Sequence, residues 1–136
     1  MITITIPGEP VAQGRPRTTR TGHVYDPKKS RDFKTRVWLA AKEKQPETLL
    51  EGPLKVEIDI YKSIPVSWSK NKKAAAMAGI KRPTGKPDVD NYVKSCCDGM
   101  NGVIWVDDSQ IVELLVRKWY SDKPQAVIDI AQMVIG

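Results

Sequence analysis

Histidine and cysteine are almost absent from this sequence, which has one histidine, His23, and two adjacent cysteines, Cys96 and Cys97. Zinc sites are built mainly from several Cys or His ligands, and two adjacent cysteines on one helix are poorly placed to chelate one ion. A single histidine leaves little material for a catalytic triad that depends on histidine. One pair of neighbouring cysteines also cannot build a disulfide framework. We therefore exclude these three classes and interpret the cysteines as core residues.

Long apolar runs are missing as well. No segment approaches the roughly 18 consecutive apolar residues that a membrane span needs. The first residues, Met1 to Pro7, lack the basic start and the small-residue cleavage site of a signal peptide. With 136 residues, 40% of them hydrophobic, the chain is long enough to bury one core. We expect a cytoplasmic protein without membrane contact, folded as a single domain over residues 1–136.

The charges that are present are unevenly distributed. The chain has 22 Lys and Arg against 16 Asp and Glu, a net charge of +6. Residues 1–50 carry ten basic and five acidic side chains, and residues 51–86 carry eight and three, while residues 87–136 reverse the balance with four and eight. A basic protein suits a polyanionic partner such as nucleic acid. Acids in the last third would repel that partner unless cations lie between them.

Alternating hydrophobicity predicts strands in both halves of the chain. Apolar residues alternate with polar ones over Ile2–Ile6 and, most clearly, over Leu54–Ile60. This period of two is typical of a half-buried strand. Near the end of the chain, Ile111–Tyr120 and Ala126–Ile135 are interpreted as two closing strands. A short apolar run, Val103–Val106, precedes them.

Apolar residues at helical spacing predict three helices, each with a recognisable start and stop. Gly and Pro recur over residues 7–31 and 80–87, and these segments are expected to be irregular. The first helix contains Phe33, Val37, Ala40 and Ala41, with Asp26 as its predicted cap, Pro27 in its first turn and Gln45-Pro46 as its stop. The second runs from Ser67 to Ala78 before Gly79, and the third from Asp88 to Asn101-Gly102. This pattern predicts an α+β or mixed α/β fold, with a mostly antiparallel or mixed sheet against two or three helices.

Acidic residues gather around the start of the third predicted helix. Asp88 and Asp90 lie at its entrance, and Lys94 follows Asp90 by one helical turn. The pair Asp107-Asp108 follows the short apolar run, and a turn there would bring the pair back toward the helix entrance. Converging carboxylates repel one another unless a cation separates them, and such hard oxygen ligands suit Mg²⁺ or Mn²⁺.

Each of these residues also has an ordinary structural alternative. Asp88 could be only a helix cap, and Asp90 only a favourable charge in the first turn. Asp107-Asp108 could form a plain turn. Lys94 could be a surface partner of Asp90, worth a few tenths of a kcal/mol. The spacing alone leaves these alternatives open.

Two basic segments are candidates for contact with phosphate groups. The first lies in the Gly- and Pro-rich segment near the N-terminus, and its alternative is a solvated loop. The second has six cations and no acid between residues 67 and 86, whereas an ordinary surface would mix both signs. The candidates are Arg15, Arg17 and Arg20 in the first segment and Lys70, Lys72, Lys73, Lys81, Arg82 and Lys86 in the second.

Three motifs occur together in a fixed order. The helix entrance reads Asp88-Val89-Asp90-Asn91-Tyr92-Val93-Lys94, and an aspartate pair, Asp107-Asp108, follows Trp105-Val106. Upstream are the segments Pro7–Arg17 and Gly22–Pro27. In these features the chain resembles the RusA family of Holliday-junction resolvases, and the resemblance covers most of its length.

The resemblance implies a RusA-like fold and a role for each acidic position. Asp88, Asp90 and Asp108 would be catalytic residues that bind the metal, Asp107 would assist as a further ligand, and Lys94 would be the catalytic lysine. It also implies a homodimeric, Mg²⁺-dependent endodeoxyribonuclease, with Mn²⁺ as a substitute ion. Such an enzyme resolves four-way or branched DNA in recombination and repair by paired, symmetrical nicks.

A second hypothesis comes from another class of protein. A non-catalytic module that holds branched or single-stranded DNA would explain the basic segments equally well. Only the nuclease explains why several aspartates should gather among them, and we therefore take the nuclease as the main prediction.

Overall fold

A computed structural model describes residues 1–133 of the chain. In chain order the strands are β1 (Ile2–Pro7), β2 (Arg17–Thr18), β3 (Val24–Tyr25), β4 (Leu54–Ser63), β5 (Ile111–Ser121) and β6 (Gln125–Gln132). The helices are α1 (Lys28–Glu43), α2 (Lys70–Met77) and α3 (Val89–Met100), and a single 3-10 turn covers Asp108–Gln110. The α+β prediction is confirmed.

Four of the strands form one mixed sheet in the order β1-β6-β4-β5. β6 pairs antiparallel with both β1 and β4, so that Ile128 lies between Ile4 and Ile58. β4 and β5 are parallel, with Ile58 beside Val116. Parallel neighbours need a long crossover, and here the crossover carries α2 and α3. The two short strands β2 and β3 form a separate hairpin.

The core lies between one face of this sheet and the helices α1 and α3. Every second residue of β4, from Leu54 to Ile60, is fully buried, as its alternating sequence predicts. The two helices approach each other closely, because a Cβ atom added at Gly99 would lie 2.6 Å from Cγ1 of Val37. Burial of large side chains such as Phe33 and Trp105, at about 1.5–3 kcal/mol each, fixes α3 against the sheet.

One prediction about local structure is wrong, and one short apolar run is a turn. The run Val103–Val106 is a turn with isolated bridges at Trp105 rather than a strand, because its apolar residues Val103, Ile104 and Trp105 are buried beneath the end of α3. Asp26 does not cap α1: its N-cap is Pro27, without a side-chain hydrogen bond. The Asp26 carboxylate instead accepts hydrogen bonds from Gln13 and Lys34.

Other boundaries differ only in detail. The segment 7–31 is mostly irregular as predicted, apart from the β2–β3 hairpin and the first turn of α1. The predicted strand Ala126–Ile135 corresponds to β6, and its last two residues lie outside the described residues. Within residues 1–133 no helix combines the length and apolar character that crossing a membrane requires.

Candidate active site

Asp88 and Asp90 lie at the exposed start of α3, and their carboxylates have no bonding partner within residues 1–133. Asp88 is the N-cap residue, but its side chain makes no capping hydrogen bond. Neither carboxylate forms a hydrogen bond or an ion pair within residues 1–133, and Lys94 is not paired with Asp90 there. The side-chain cap by Asp88 and the ion pair between Asp90 and Lys94 are therefore absent from residues 1–133, whereas Asp90 does lie in the first turn of α3, as its structural alternative has it.

The loop that leads into Asp88 is held by a residue that the sequence motifs did not include. Lys118, on β5, donates from Nζ to the carbonyl oxygens of Gly85 at 2.9 Å and Pro87 at 3.0 Å. These two bonds tie the crossover to the sheet immediately before the helix begins. A lysine at an inward-facing position of a strand could have suggested this role from the sequence. Which face of the sheet each β5 residue occupies, however, is known only from the register of β5 against β4.

The second acidic segment is anchored by capping bonds. The Asp107 carboxylate accepts from the backbone N–H of Ser109 at 3.1 Å, and Gln110 Oε1 accepts from the N–H of Asp107 at 3.1 Å. The bonds from Ser109 hold the pKa of Asp107 below its usual range. Gln110 Nε2 also donates to the carbonyl oxygens of Leu50 and Gly52. Asp107 thus fixes the turn, while the neighbouring Asp108 carboxylate is exposed and unpaired within residues 1–133.

The charge of Asp108 acts on a residue of the helix that carries Asp90. Burial, followed by the charge of Asp108, raises the pKa of the Cys97 thiol to about 12. Asp90, Lys94 and Cys97 occupy positions i, i+4 and i+7, which share one side of a helix. The charge of Asp108 is therefore felt at Cys97, two turns of α3 after Asp90, while no contact joins Asp108 to Asp88 or Asp90 within residues 1–133.

The chemistry of these donors fits a hard divalent cation. Carboxylate oxygens without competing partners are the ligands that Mg²⁺ prefers, and it is commonly bound by one or two carboxylates, with waters and phosphate oxygens completing its shell. Among residues 1–133, no three Asp, Glu, His or Cys side chains are grouped closely enough to hold one metal ion together. Metal binding by Asp88, Asp90, Asp107 and Asp108 stays a prediction.

Lys94 borders a polar cleft of about 490 Å³ between α3 and the N-terminal irregular segment. Arg15 lines the same cleft, and the backbone N–H of Gln13 donates to the Asn91 carbonyl at 3.0 Å, which holds this segment on α3. Asp98, which continues the Asp90–Lys94 row, pairs with Lys34 at 3.0 Å. Lys94 itself has no carboxylate within ion-pair distance in residues 1–133 and is exposed.

The structure distributes the candidate phosphate contacts over several elements. Arg15 lies at the cleft, Arg17 and Arg20 are exposed on the β2–β3 hairpin, and none of the nine candidates forms an ion pair within residues 1–133. Arg82 differs from the rest, because its guanidinium stacks 3.5 Å from the ring centroid of Trp119. The other members lie on α2 and its flanking loops, namely Lys70, Lys72, Lys73, Lys81 and Lys86.

One aromatic residue organises part of this basic surface. The Nζ atoms of Lys72 and Lys81 lie 4.3 and 5.2 Å from the ring centroid of Trp68. Tyr120 meets the same ring edge-on at a centroid distance of 5.0 Å. Trp68 therefore packs between lysines and the sheet, as a cation–π platform that holds two positive charges near each other.

Comparison with known proteins gives two results. A family model described as Endodeoxyribonuclease RusA matches residues 7–131. The "Uncharacterized protein YqaN" of Bacillus subtilis (strain 168) is 48% identical over 137 residues, which cover 97% of this chain and 96% of that protein.

Proposed function

The chain belongs to the RusA endodeoxyribonuclease family, and on that basis we propose that it is an Mg²⁺-dependent endonuclease that resolves Holliday junctions. The observation that carries the proposal is the contrast among neighbouring acids. Asp98 and Asp107 are engaged in structural bonds, whereas Asp88, Asp90 and Asp108 are exposed and unpaired in residues 1–133. Acids placed this way in a basic protein are free to bind a cation, and that cation can in turn bind a phosphate.

In the proposed reaction, water attacks the phosphorus atom and the bond to the 3′ oxygen breaks. Asp88, Asp90 and Asp108 would be the ligands of the divalent ion. Because no three such side chains lie close enough within residues 1–133 to hold one ion together, bound waters would bridge the ion to those that do not reach it directly. Asp107 would position Asp108 through the cap of its turn. When bound, Mg²⁺ or Mn²⁺ supplies a lowered pKa for coordinated water and shields the phosphate charge. Lys94 contributes a positive charge beside the phosphate, where it stabilises developing negative charge or orients the water.

The basic surfaces would hold the DNA backbone on both sides of the site. Arg15 is placed at the cleft with Lys94, while the hairpin and the lysines of α2 extend the positive surface. We assign Arg82 chiefly a structural role, because its Nε atom also donates to the Lys118 carbonyl at 2.6 Å. Lys118 in turn holds the loop before Asp88.

One chain carries one set of these acids, so paired symmetrical nicks in a junction require two chains. A four-way junction has approximate two-fold symmetry, which a two-fold symmetric homodimer matches. We therefore propose a homodimer whose two sites cut opposing strands.

The test is an incubation of purified protein with a labelled synthetic four-way junction, with Mg²⁺ and separately with EDTA. A linear duplex of the same sequence is the substrate control, and Asp32→Asn, an exposed acid paired with Lys28, is the matched protein control. We expect paired nicks of the junction with Mg²⁺ only. Binding without any nicking under either condition would favour the module that holds branched or single-stranded DNA.

A further inference from the structure

The strand β5 presents its two faces to different parts of the loop that joins α2 to α3. Side chains alternate between the two faces of a strand. Trp119 lies on the face away from the helices, where its indole N–H donates to Asp59 at 2.8 Å. Lys118 lies on the core face, because the register of β5 against β4 places it beside the buried Ile60. These two neighbouring residues therefore reach opposite sides of the sheet.

The loop passes from one side of the sheet to the other and is bonded on both. On the outer side, the Arg82 guanidinium stacks 3.5 Å from the ring centroid of Trp119. At the edge of the sheet, Arg82 Nε donates to the Lys118 carbonyl at 2.6 Å. On the core side, Lys118 Nζ donates to the carbonyls of Gly85 and Pro87 at 2.9 and 3.0 Å. Lys118 thus binds the loop through both its main chain and its side chain.

The last part of the loop, residues 84–87, has few contacts of its own. Pro83, just before it, is buried, whereas residues 84–86 are exposed. Within residues 1–133, the two bonds from Lys118 are the only hydrogen bonds that reach residues 84–87. The position of the chain where it enters α3 at Asp88 therefore depends on the Lys118 side chain.

We propose that Lys118 is a positioning residue for the proposed metal site and acts through this loop on Asp88. The bond to the Pro87 carbonyl fixes the peptide group that joins Pro87 to Asp88, and with it the point from which the Asp88 side chain leaves the main chain. No capping bond holds that side chain, so its position depends on this main-chain support. The inference rests on the proposed function, since a carboxylate that binds nothing needs no fixed position.

The Lys118 side chain is given entirely to this loop. Lys34 and Arg117 each pair with carboxylates elsewhere in the fold, but Lys118 has no carboxylate partner within residues 1–133. Groups that orient a metal ligand without touching the ion typically change metal affinity or activity by about 10- to 100-fold when they are removed. Mg²⁺ requires a nearly ideal arrangement of its ligands, so a displaced Asp88 would bind it less well.

The experiment measures Mn²⁺ binding to the full chain without DNA, by isothermal titration calorimetry. Lys118→Met removes both side-chain bonds and keeps an unbranched side chain of similar length. We expect its dissociation constant for Mn²⁺ to be about tenfold higher than that of the wild type. Lys118→Arg, which retains the charge and the N–H donors, should recover most of the affinity.

Lys62→Met is the matched control. Lys62 is a half-buried lysine of the neighbouring strand β4, two residues after Ile60, and it makes no hydrogen bond or ion pair within residues 1–133. This variant should keep the wild-type affinity for Mn²⁺. Because residues 84–86 are exposed, water can replace the bonds lost in Lys118→Met, and that variant should melt near the wild-type temperature. Amide hydrogens between residues 84 and 90 should exchange faster in Lys118→Met only.

Junction nicking separates positioning from a general loss of structure. Lys118→Met should lower kcat about tenfold and leave KM for the junction near the wild-type value. A Lys118→Met chain with wild-type Mn²⁺ affinity would overturn this inference alone and leave the proposed function standing, whereas a wild-type chain that binds no Mn²⁺ would overturn the inference together with the proposed metal site. A loss of affinity that Lys62→Met shares, or that accompanies a lowered melting temperature, would also overturn the inference.

Discussion

Two sets of aspartates in this molecule are treated in opposite ways. Asp26, Asp59 and Asp98 each have a basic partner: Lys34 bridges Asp26 at 2.8 Å and Asp98 at 3.0 Å, and Arg117 reaches Asp59 at 2.7 Å. Asp88, Asp90 and Asp108 have no such partner within residues 1–133. The first set joins separate elements of the fold, whereas the second set is exposed, two at the start of α3 and one in the 3-10 turn before β5.

The pKa values show what the partners do. The hydrogen bond from Lys34 lowers the pKa of Asp26. Burial alone would raise the pKa of Asp59, but hydrogen bonds from Arg117 and Trp119 outweigh it and leave a lowered pKa. An acid with such partners contributes to the stability of the fold. An exposed acid without them contributes little to stability and is free to bind a ligand, and this difference can be tested in four ways.

The largest expected effect is on catalysis. Asp90→Asn should reduce junction nicking by about a hundredfold or more, because it removes a proposed ligand charge, while the melting temperature stays near that of the wild type. Junction affinity should be equal or higher, since a charge that repels phosphate is lost. Gel assays of nicking and binding, with Asp32→Asn as control, provide the measurement. Near wild-type nicking by Asp88→Asn, Asp90→Asn and Asp108→Asn alike would refute the assignment.

The reverse result is expected for a paired acid. Asp59→Ala should lower the free energy of unfolding by about 2–3 kcal/mol, because Arg117 and the Trp119 N–H lose their common acceptor. Nicking at low temperature should be retained, since Asp59 lies on the sheet face away from α3. Urea unfolding and the junction assay measure the two properties. A variant that is fully stable but inactive would reverse the comparison.

Low pH should destabilise the protein through the aspartates that have basic partners. Since the folded-state pKa values of Asp26 and Asp59 are lowered, their contribution is fully present above the unfolded value of about 3.9. It is lost as the pH falls through the folded values. Urea midpoints at pH 6, 4 and 3 should therefore drop less for Asp59→Asn than for the wild type. Equal drops in both proteins would contradict a structural role for this ionised carboxylate.

The smallest effect should come from the cation itself. Mg²⁺ at ten times its dissociation constant should stabilise the wild type by about 1.4 kcal/mol, seen as a rise in melting temperature. The rise should disappear in a variant that combines Asp88→Asn with Asp90→Asn and persist in Asp59→Asn. A rise that depends on Asp59 rather than on α3 would place the cation elsewhere.

Much of the local structure follows from nearby residues and was predictable. The alternation in β1 and β4 and the apolar spacing of α3 predict elements that the structure contains. For α2, Ser69 accepts from the Lys72 N–H at 3.3 Å, and Gly79 has a φ of 77° just after the helix. That positive φ favours glycine. Such signals act within a few residues, and an unfolded chain already carries them.

The sequence by itself therefore determined the type and order of most elements and the candidate acids at the start of α3. Only the tertiary structure decided which acids have partners, and that Lys118 holds the loop before Asp88. The reason is distance along the chain: Arg117 and Asp59 are 58 residues apart, and Lys118 and Pro87 are 31 apart. Contacts of this kind depend on the register of β5 against β4, which no local pattern encodes. Ion pairs form wherever the packing of the core brings opposite charges together.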